Sequence, residues 1–429
     1  MLSVAGQSVS AHSQRGLSPG RRQGTARLRA GPVVALTAIG LGAVAVVALW
    51  WSSTPNVSGP GDWITGAGRI LGLLAGYGVV VLVALMARLP PLERGVGADR
   101  LARWHATGGR YVVSLVVAHA LLITWGYAIT AHVGVVSQTR TLLTSYPDVL
   151  MATVAGFLLL GIGLVSARAA RRRMSYETWY YLHFYTYLAI ALAFSHQFSV
   201  GASFVSSLPA RAAWSALYLT VAALVVWYRI VSPLRSAAHH RFRVVGIRRE
   251  SPDVVSVYIG GEHLDELQAQ PGQFFRWRFL ARGVWWSSHP YSLSALPRPD
   301  VMRITVKDRG DHSGGLVRLR AGTRVIAEGP YGAFIPARSG RRVLLLAGGV
   351  GITPLRAMFA MLQGEVTLIY RASSPDDIVF GREIDIIARE RGATVHYMVG
   401  SREWLGWDPL SADELQALVP GLHRHDVYL

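Results

Sequence analysis

Hydrophobic positions divide the chain into two unlike halves. Over the first 231 residues, six apolar stretches alternate with short polar connections, at 32–51, 63–89, 105–131, 149–167, 179–198 and 212–231. Each holds about twenty residues or more, enough to cross a hydrocarbon core of roughly 30 Å as a helix. Beyond residue 241 the runs become short and alternate in the period-two manner of half-buried strands, at 241–248, 254–260, 273–279, 302–307 and 323–328. Turn chemistry at Gly329, Pro330, Tyr331 and Gly332 is expected to close this small antiparallel barrel. A βα rhythm follows: strand 342–347, helix 354–362, strand 366–370, helix 383–391 and strand 394–399. That rhythm predicts a parallel α/β sheet.

Four histidines interrupt the apolar stretches. His105 and His119 lie fourteen residues apart on the third stretch, and His183 and His196 thirteen apart on the fifth. Histidine inside a membrane helix is costly and points to a function. Either spacing covers roughly 20 Å of helix, most of the bilayer core. Imidazole is an axial ligand for haem iron. The pairs therefore predict two bis-histidine haems at two depths, His105 with His183 and His119 with His196. Fourteen helical steps return to within about 40° of one face, whereas thirteen miss by about 140°. The fifth stretch thus needs a tilt, a bend or a π-bulge.

Charge orients the bundle. The chain carries a formal charge of +18 and a mean hydropathy of +0.31, and Lys307 is its single lysine. This arginine-for-lysine bias points to a GC-rich, bacterial genome. The arginines cluster at the ends of apolar stretches, as in Arg88, Arg94, Arg100 and Arg103, which argues against nucleic acid and for the positive-inside pattern. Both termini, including a disordered stretch over 1–31, are expected in the cytoplasm of a multi-pass plasma-membrane protein. Arg69 and Arg110 are candidate partners for haem propionates. His132 is expected to be an exposed loop residue. The chain has no cysteine, which excludes disulfides, thiolate chemistry, cysteine-held iron–sulfur clusters and covalently attached haem.

Three motifs carry chemistry in the second half. Strand 342–347 runs into Gly348, Gly349, Val350, Gly351, Ile352, Thr353 and Pro354, a glycine turn that lets backbone approach a pyrophosphate at a helix N-terminus. Thr353 is expected to cap that helix and Pro354 to occupy its first position. Arg371, at the end of the next strand, suits the 2′-phosphate of NADPH rather than NADH. His289, Pro290, Tyr291, Ser292, Leu293 and Ser294 place an aromatic between hydroxyls at a strand start, able to stack on a flavin. The stretch from Lys307 through Ser313, Gly314 and Gly315 is a candidate second pyrophosphate site.

Taken together, these motifs resemble a known family. The soluble half is similar to the ferredoxin–NADP reductase type of FAD/NAD(P)H module. The chain from about residue 35 to 429 resembles the NADPH oxidase and ferric reductase superfamily of transmembrane flavocytochromes. The resemblance implies a multidomain membrane protein with four parts. These are the N-terminus at 1–31, a six-helix transmembrane haem bundle at 32–232, an antiparallel β-barrel FAD domain at 241–337, and an α/β parallel-sheet NAD(P)-binding domain at 341–429. It implies two b-type haems on His105, His119, His183 and His196. It also implies FAD on 289–294, with Tyr291 against the isoalloxazine and Ser292 near the hydride-accepting nitrogen. FAD phosphate would lie on 313–316, and the nicotinamide dinucleotide on 348–354. In that family a Cys-Gly-Pro turn follows the last strand. This chain stops at Leu429, so the NAD(P)-binding domain is expected to be truncated at its C-terminus.

The expected activity is electron transfer from cytoplasmic NADPH (or NADH) through FAD and two haems to an external acceptor, ferric iron or oxygen. No general acid or nucleophile is expected, since the cofactors carry the chemistry. The alternative is a noncatalytic haem-binding membrane protein with a degenerate flavin module. Neither the acceptor nor the oligomeric state is legible in the sequence.

Overall fold

The computed structural model describes residues 31–54, 57–167, 172–174, 176–308, 310–332, 334–336, 342–400 and 410–429. The expectation for residues 1–30 lies outside them. The helical half runs α1 Pro32–Ser52, α2 Pro60–Leu85, α3 Pro90–Gly95, α4 Ala98–Thr130, α5 Val135–Ser145, α6 Val149–Ser166, α7 Tyr176–Ser199, α8 Ala202–Val205, α9 Leu208–Val226 and α10 Ser232–His240. Prolines open α1, α2, α3 and α9, where a missing N–H costs nothing.

Among the described residues, five helical runs are long and apolar enough to cross a membrane: α1, α2, α4, α6 and the continuous run Leu208–His240. The fifth expected stretch forms helix α7, 24 residues long, but its tyrosines, histidines and hydroxyls keep it outside this apolar set. The six apolar spans read from the sequence thus become five apolar helices and one long aromatic-polar helix. Helix α7 is α-helical throughout; the π-helical turn lies instead at Trp227–Val231, between α9 and α10.

The tightest helix pair is α2 with α4. A Cβ added at Gly61 would lie 2.4 Å from Thr130 Oγ1, at Gly78 2.7 Å from Val112 Cγ2, at Gly108 2.8 Å from Leu82 Cδ2, and at Gly126 2.3 Å from Thr65 Oγ1. Small residues on both partners let the two backbones approach, which is how apolar helices associate where lipid competes equally for their side chains.

Next come β1 Arg243–Ser251, β2 Val254–Gly260, β3 Phe274–Phe279, β4 His289–Ser292, β5 Val301–Lys307, α11 Asp311–Leu316 and β6 Val325–Tyr331. They form two three-stranded antiparallel sheets, β1-β2-β5 and β4-β3-β6. Both face one core that includes Phe242, Phe275, Trp277, Phe279, Leu293 and Ile304. Isolated bridges at Arg243–Arg324 and Leu293–Ile304 join the strands at the corners. The turn expected at 329–332 is overturned: β6 runs on through Gly329 and Pro330, and Tyr331 pairs with Phe274. The pairing survives because a bulge between Phe274 and Arg276 absorbs the register shift.

The last part holds β7 Arg342–Gly348, α12 Ile352–Phe359, β8 Val366–Ala372, α13 Gly381–Arg391, β9 Thr394–Val399, α14 Ala412–Leu418 and β10 His425–Tyr428. Its sheet is parallel in the order β10-β7-β8-β9. The order reverses beside β7, where an open α/β sheet forms a ligand crevice.

One ion cluster ties the two soluble parts together. Glu383 of α13 receives Arg303 of β5 at 2.8 Å, Arg248 of β1 at 2.9 Å and Arg356 of α12 at 2.9 Å. Burial alone would raise the Glu383 carboxyl, but the arginines, led by Arg303, outweigh it and hold the group at about 2. Replacing the acid leaves Arg303 and Arg356 facing each other without it, while Arg248 keeps Glu250 at 2.7 Å. Glu383→Gln is expected to cost about 3–5 kcal/mol in chemical denaturation, the loss typical of removing one partner from a buried ion pair. In the parent protein the folded-state value lies below the ordinary one. The cluster's contribution is therefore complete above about pH 5 and fades as pH falls toward 2. An acid-denaturation midpoint unchanged in the variant would refute this.

Candidate functional site

Helices α4 and α7 bring His105 and His183 close together. The His105 and His183 ring centroids are 5.8 Å apart, with planes at 68°. Two imidazoles flanking one metal, each nitrogen about 2 Å from it, take up a separation of this size. His119 and His196 lie further along the same two helices.

Second-nitrogen contacts decide what these rings can do. His119 Nδ1 donates to the Gly68 carbonyl at 2.8 Å, and His105 Nδ1 donates to the Leu82 carbonyl at 3.1 Å. His196 Nδ1 donates to Ala193, one turn back on its own helix. A carbonyl only accepts, so in each ring Nδ1 carries the proton and Nε2 keeps the lone pair that binds a metal. His183 differs, because among the described residues its Nδ1 is buried without a hydrogen-bond partner, while Trp179 stacks on its ring at 5.1 Å. A buried polar atom without a partner calls for a ligand or another explanation. The donor set therefore fits two axially ligated haems. No π-bulge interrupts α7, and His196 is turned back along its own helix toward Ala193.

The supporting role of α2 was not read from the sequence. Its two acceptors, at 68 and 82, are fourteen residues apart, as are their donors at 105 and 119. Two helices packed side by side share one rise per residue, so equal spacings bring each donor beside its acceptor. Gly72 makes room for this: a Cβ there would lie 2.5 Å from His119 Nδ1 and 2.7 Å from its Cε1. The glycines of α2, set beside the histidine spacing of α4, were the signal available in the sequence. Arg69 donates to the Ser53 carbonyl at 3.1 Å, and Arg110 reaches Thr107 on its own helix at 3.4 Å. His132 is exposed, in a loop with φ +54°. Among the described residues, no group of three or more His, Cys, Asp or Glu is placed to hold a metal ion.

In the second half, β4 holds 289–292 against β3, pairing Tyr291 with Phe275 and His289 with Trp277. Trp277 Nε1 donates to the Tyr291 carbonyl at 3.1 Å. The His289 and Tyr291 rings lie 6.4 Å apart and 25° from parallel. Burial pushes the Tyr291 hydroxyl up to about 12, so it stays protonated and can donate. Pro290 is exposed and Ser292 half-buried, while Leu293 and Ser294 turn into the core. The Ser294 hydroxyl receives Thr305 at 2.8 Å and Arg303 at 3.1 Å, which commits it to the base of the Glu383 cluster. Lys307 pairs with Asp253 at 3.0 Å and Asp377 at 3.3 Å. Ser313 donates to Asp308 at 3.3 Å. Gly315 is packed so closely that a Cβ would meet Val284 at 2.6 Å, and Gly314 faces the Asp308 carboxylate.

The glycine turn after β7 is more open. Added Cβ atoms at Gly348, Gly349 and Gly351 would meet nothing within 4 Å, and Gly349 sits at φ +50°. Tyr370 holds the turn, donating to the Gly349 carbonyl at 3.2 Å. Helix α12 starts at Ile352, with Gly351 at its N-cap and no side-chain cap. Thr353 and Pro354 therefore fall on its second and third positions, correcting the expected cap and first position. Val350 is half-buried, and Ile352 and Thr353 are buried. Arg371 donates to the Ala372 and Met398 carbonyls at the ends of β8 and β9.

Comparison with known proteins agrees with this division. Residues 71–194 match the model of the ferric reductase like transmembrane component, and residues 240–334 match that of an FAD-binding domain. The NADPH oxidoreductase of Mycobacterium tuberculosis is 31% identical over 178 residues, covering 38% of this chain and 46% of the relative. A flavohemoprotein of Deinococcus radiodurans is 34% identical over 164 residues, covering 35% of this chain and 40% of the relative. The chain thus spans less than half the length of these relatives. Among solved structures, the ferredoxin reductase in carbazole 1,9a-dioxygenase aligns with a TM-score of 0.38 and 25% identity, over 44% of this chain and 59% of that one.

Gly72→Ala is expected to lower stability by about 1–3 kcal/mol, the usual cost of overpacking. Gly109→Ala, whose Cβ would meet nothing within 4 Å, serves as the control and should cost nothing or stabilise. Thermal unfolding in detergent compares them, and equal midpoints would show that Gly72 is not a packing constraint.

Proposed function

Because the chain carries a ferric reductase-like transmembrane component joined to an FAD-binding domain, we propose that it is a transmembrane flavocytochrome. It passes electrons from cytoplasmic NAD(P)H through FAD and two b-type haems to an external acceptor, ferric iron or oxygen. The observation that carries this reading is the histidine arrangement. Two helices bring the His105 and His183 imidazoles together, and three of the four rings are held with Nε2 available as a ligand. When bound, FAD takes up hydride and releases single electrons, and haem carries them one at a time.

The residues supply binding and orientation. His105 and His183 hold the inner haem, and His119 and His196 the outer one. The carbonyls of Leu82, Gly68 and Ala193 orient three of these rings and raise their basicity, an outer contact that tunes a metal. Helix α7 serves as a sixth crossing. Tyr291, kept neutral by burial, offers a ring face and a hydroxyl donor to the flavin, with His289 and Ser292 beside it. Leu293 and Ser294 hold that strand to the core. Ser313, Gly314 and Gly315 carry the FAD phosphate, with Asp308 orienting Ser313. Lys307 braces the strand before them. The open turn Gly348–Gly351 at the reversal of strand order takes the pyrophosphate of the nicotinamide dinucleotide, and Arg371 favours NADPH. Cytoplasmic placement of both termini follows the arginine-rich connections.

An anaerobic absorbance spectrum of the detergent-solubilised protein with added FAD tests this. NADPH is expected to produce sharp b-type haem bands. His119→Ala and His196→Ala should each lose about half of the haem per protein, since one of two ligand pairs is removed. Reduction by dithionite but not by NADPH would favour the noncatalytic haem-binding alternative. Well-folded protein without haem bands under either reductant would refute the reading.

A further inference from the structure

We propose that the loop joining β3 to β4, residues 280–288, seats the flavin-binding half on the lipid headgroup surface, with Trp285 inserted in the interface. Trp285 is 60% exposed, Leu280 44% and Trp286 37%. The backbone beneath these side chains is held. Arg278 Nη1 donates to the carbonyls of Trp285 at 3.2 Å and Trp286 at 3.0 Å. Arg276 Nη2 donates to Ser288 at 3.1 Å, and Val284 is buried in the β core. An apolar surface presented on a fixed backbone keeps its exposure, so a partner that removes it from water gains the full hydrophobic benefit.

Position decides the partner. The Trp286 ring lies 6.3 Å from Tyr181, near the start of α7 and two residues before His183. On another side of the same β unit, Arg88 sits 5.0 Å over the Tyr331 ring, just beyond the end of α2. Both contacts lie where helices leave the bilayer, so the neighbouring Trp285 lies at that level too. Indole, with an apolar body and one N–H, prefers the headgroup region. Exposed Arg282 adds a cation for lipid phosphate. The loop leads directly into the strand 289–292, so its seat fixes the height of that strand relative to the inner histidine pair. The inference rests on the proposed reading in one respect: α7 crosses the bilayer with this end cytoplasmic.

The chain has no cysteine, so one introduced cysteine gives one labelling site. Trp285→Cys, and Leu280→Cys as a second reporter, are labelled with an environment-sensitive fluorophore in full-length protein in phosphatidylcholine–phosphatidylglycerol nanodiscs. Each label is expected to lose about half of its emission to a headgroup-borne spin label and little to aqueous iodide, as for a group in the interface. Quenching of both by iodide alone overturns the proposal. Protection from both quenchers assigns the loop to a protein partner and also overturns it. Leu188→Cys, at an exposed site within α7, separates the two failures. If it is quenched by a spin label borne on the acyl chain while 285 and 280 are quenched by neither lipid label, the bilayer reading stands and the loop assignment falls. If it is not, the crossing of α7 itself is wrong.

Discussion

An imidazole buried among apolar helices has two nitrogens, and only one can face a metal. Hydrocarbon offers the other no acceptor, so the protein supplies one for three of the four rings, and among the described residues only His183 Nδ1 is buried without one. The helical half is built around that requirement. The carbonyls of Gly68 and Leu82 meet His119 and His105, and they can do so only because glycines let α2 lie against α4. The α2–α4 contact is thus both the tightest packing in the bundle and the device that orients two of the four rings.

The soluble half meets a different demand. Each of its two sheet units has a core, Val254 of β2 packs into the core of the second unit, and the seam also carries an ion cluster. Three arginines converge on Glu383, an arrangement stable only while the acid is ionised and all partners are in place. Such a seam specifies one relative placement of the units more sharply than apolar surface does, since a displaced charge is left unpaired. The glycine turn after β7 lies at the strand-order reversal of the second unit, beyond the cluster, with its backbone open.

Several residues chosen from motifs proved to have internal partners. Ser294 and Lys307 belong by type to a polar, anion-binding set, yet one serves Arg303 and the other two aspartates. Gly315 reads as a phosphate-loop glycine, and close packing on Val284 accounts for it equally well. Motif spacing reports which residue types recur near a site. Which of them point into it depends on partners from strands far away in sequence. Arg303, which is nine residues from Ser294 and eighty from Glu383, is such a partner.

What the sequence determined by itself was what repeats locally: apolar lengths, strand alternation, the βα rhythm, and the spacing of histidines along a helix. Helical rise and strand pleat are properties of the backbone, so their periods survive in a one-dimensional string. Tertiary structure alone decided the rest. It placed the second-nitrogen acceptors on α2, turned His196 back on its own helix, carried β6 through the expected turn, started α12 two residues early, and gathered three arginines on one acid. Each of these depends on which backbone group another segment presents at a few ångströms, and no local period encodes that.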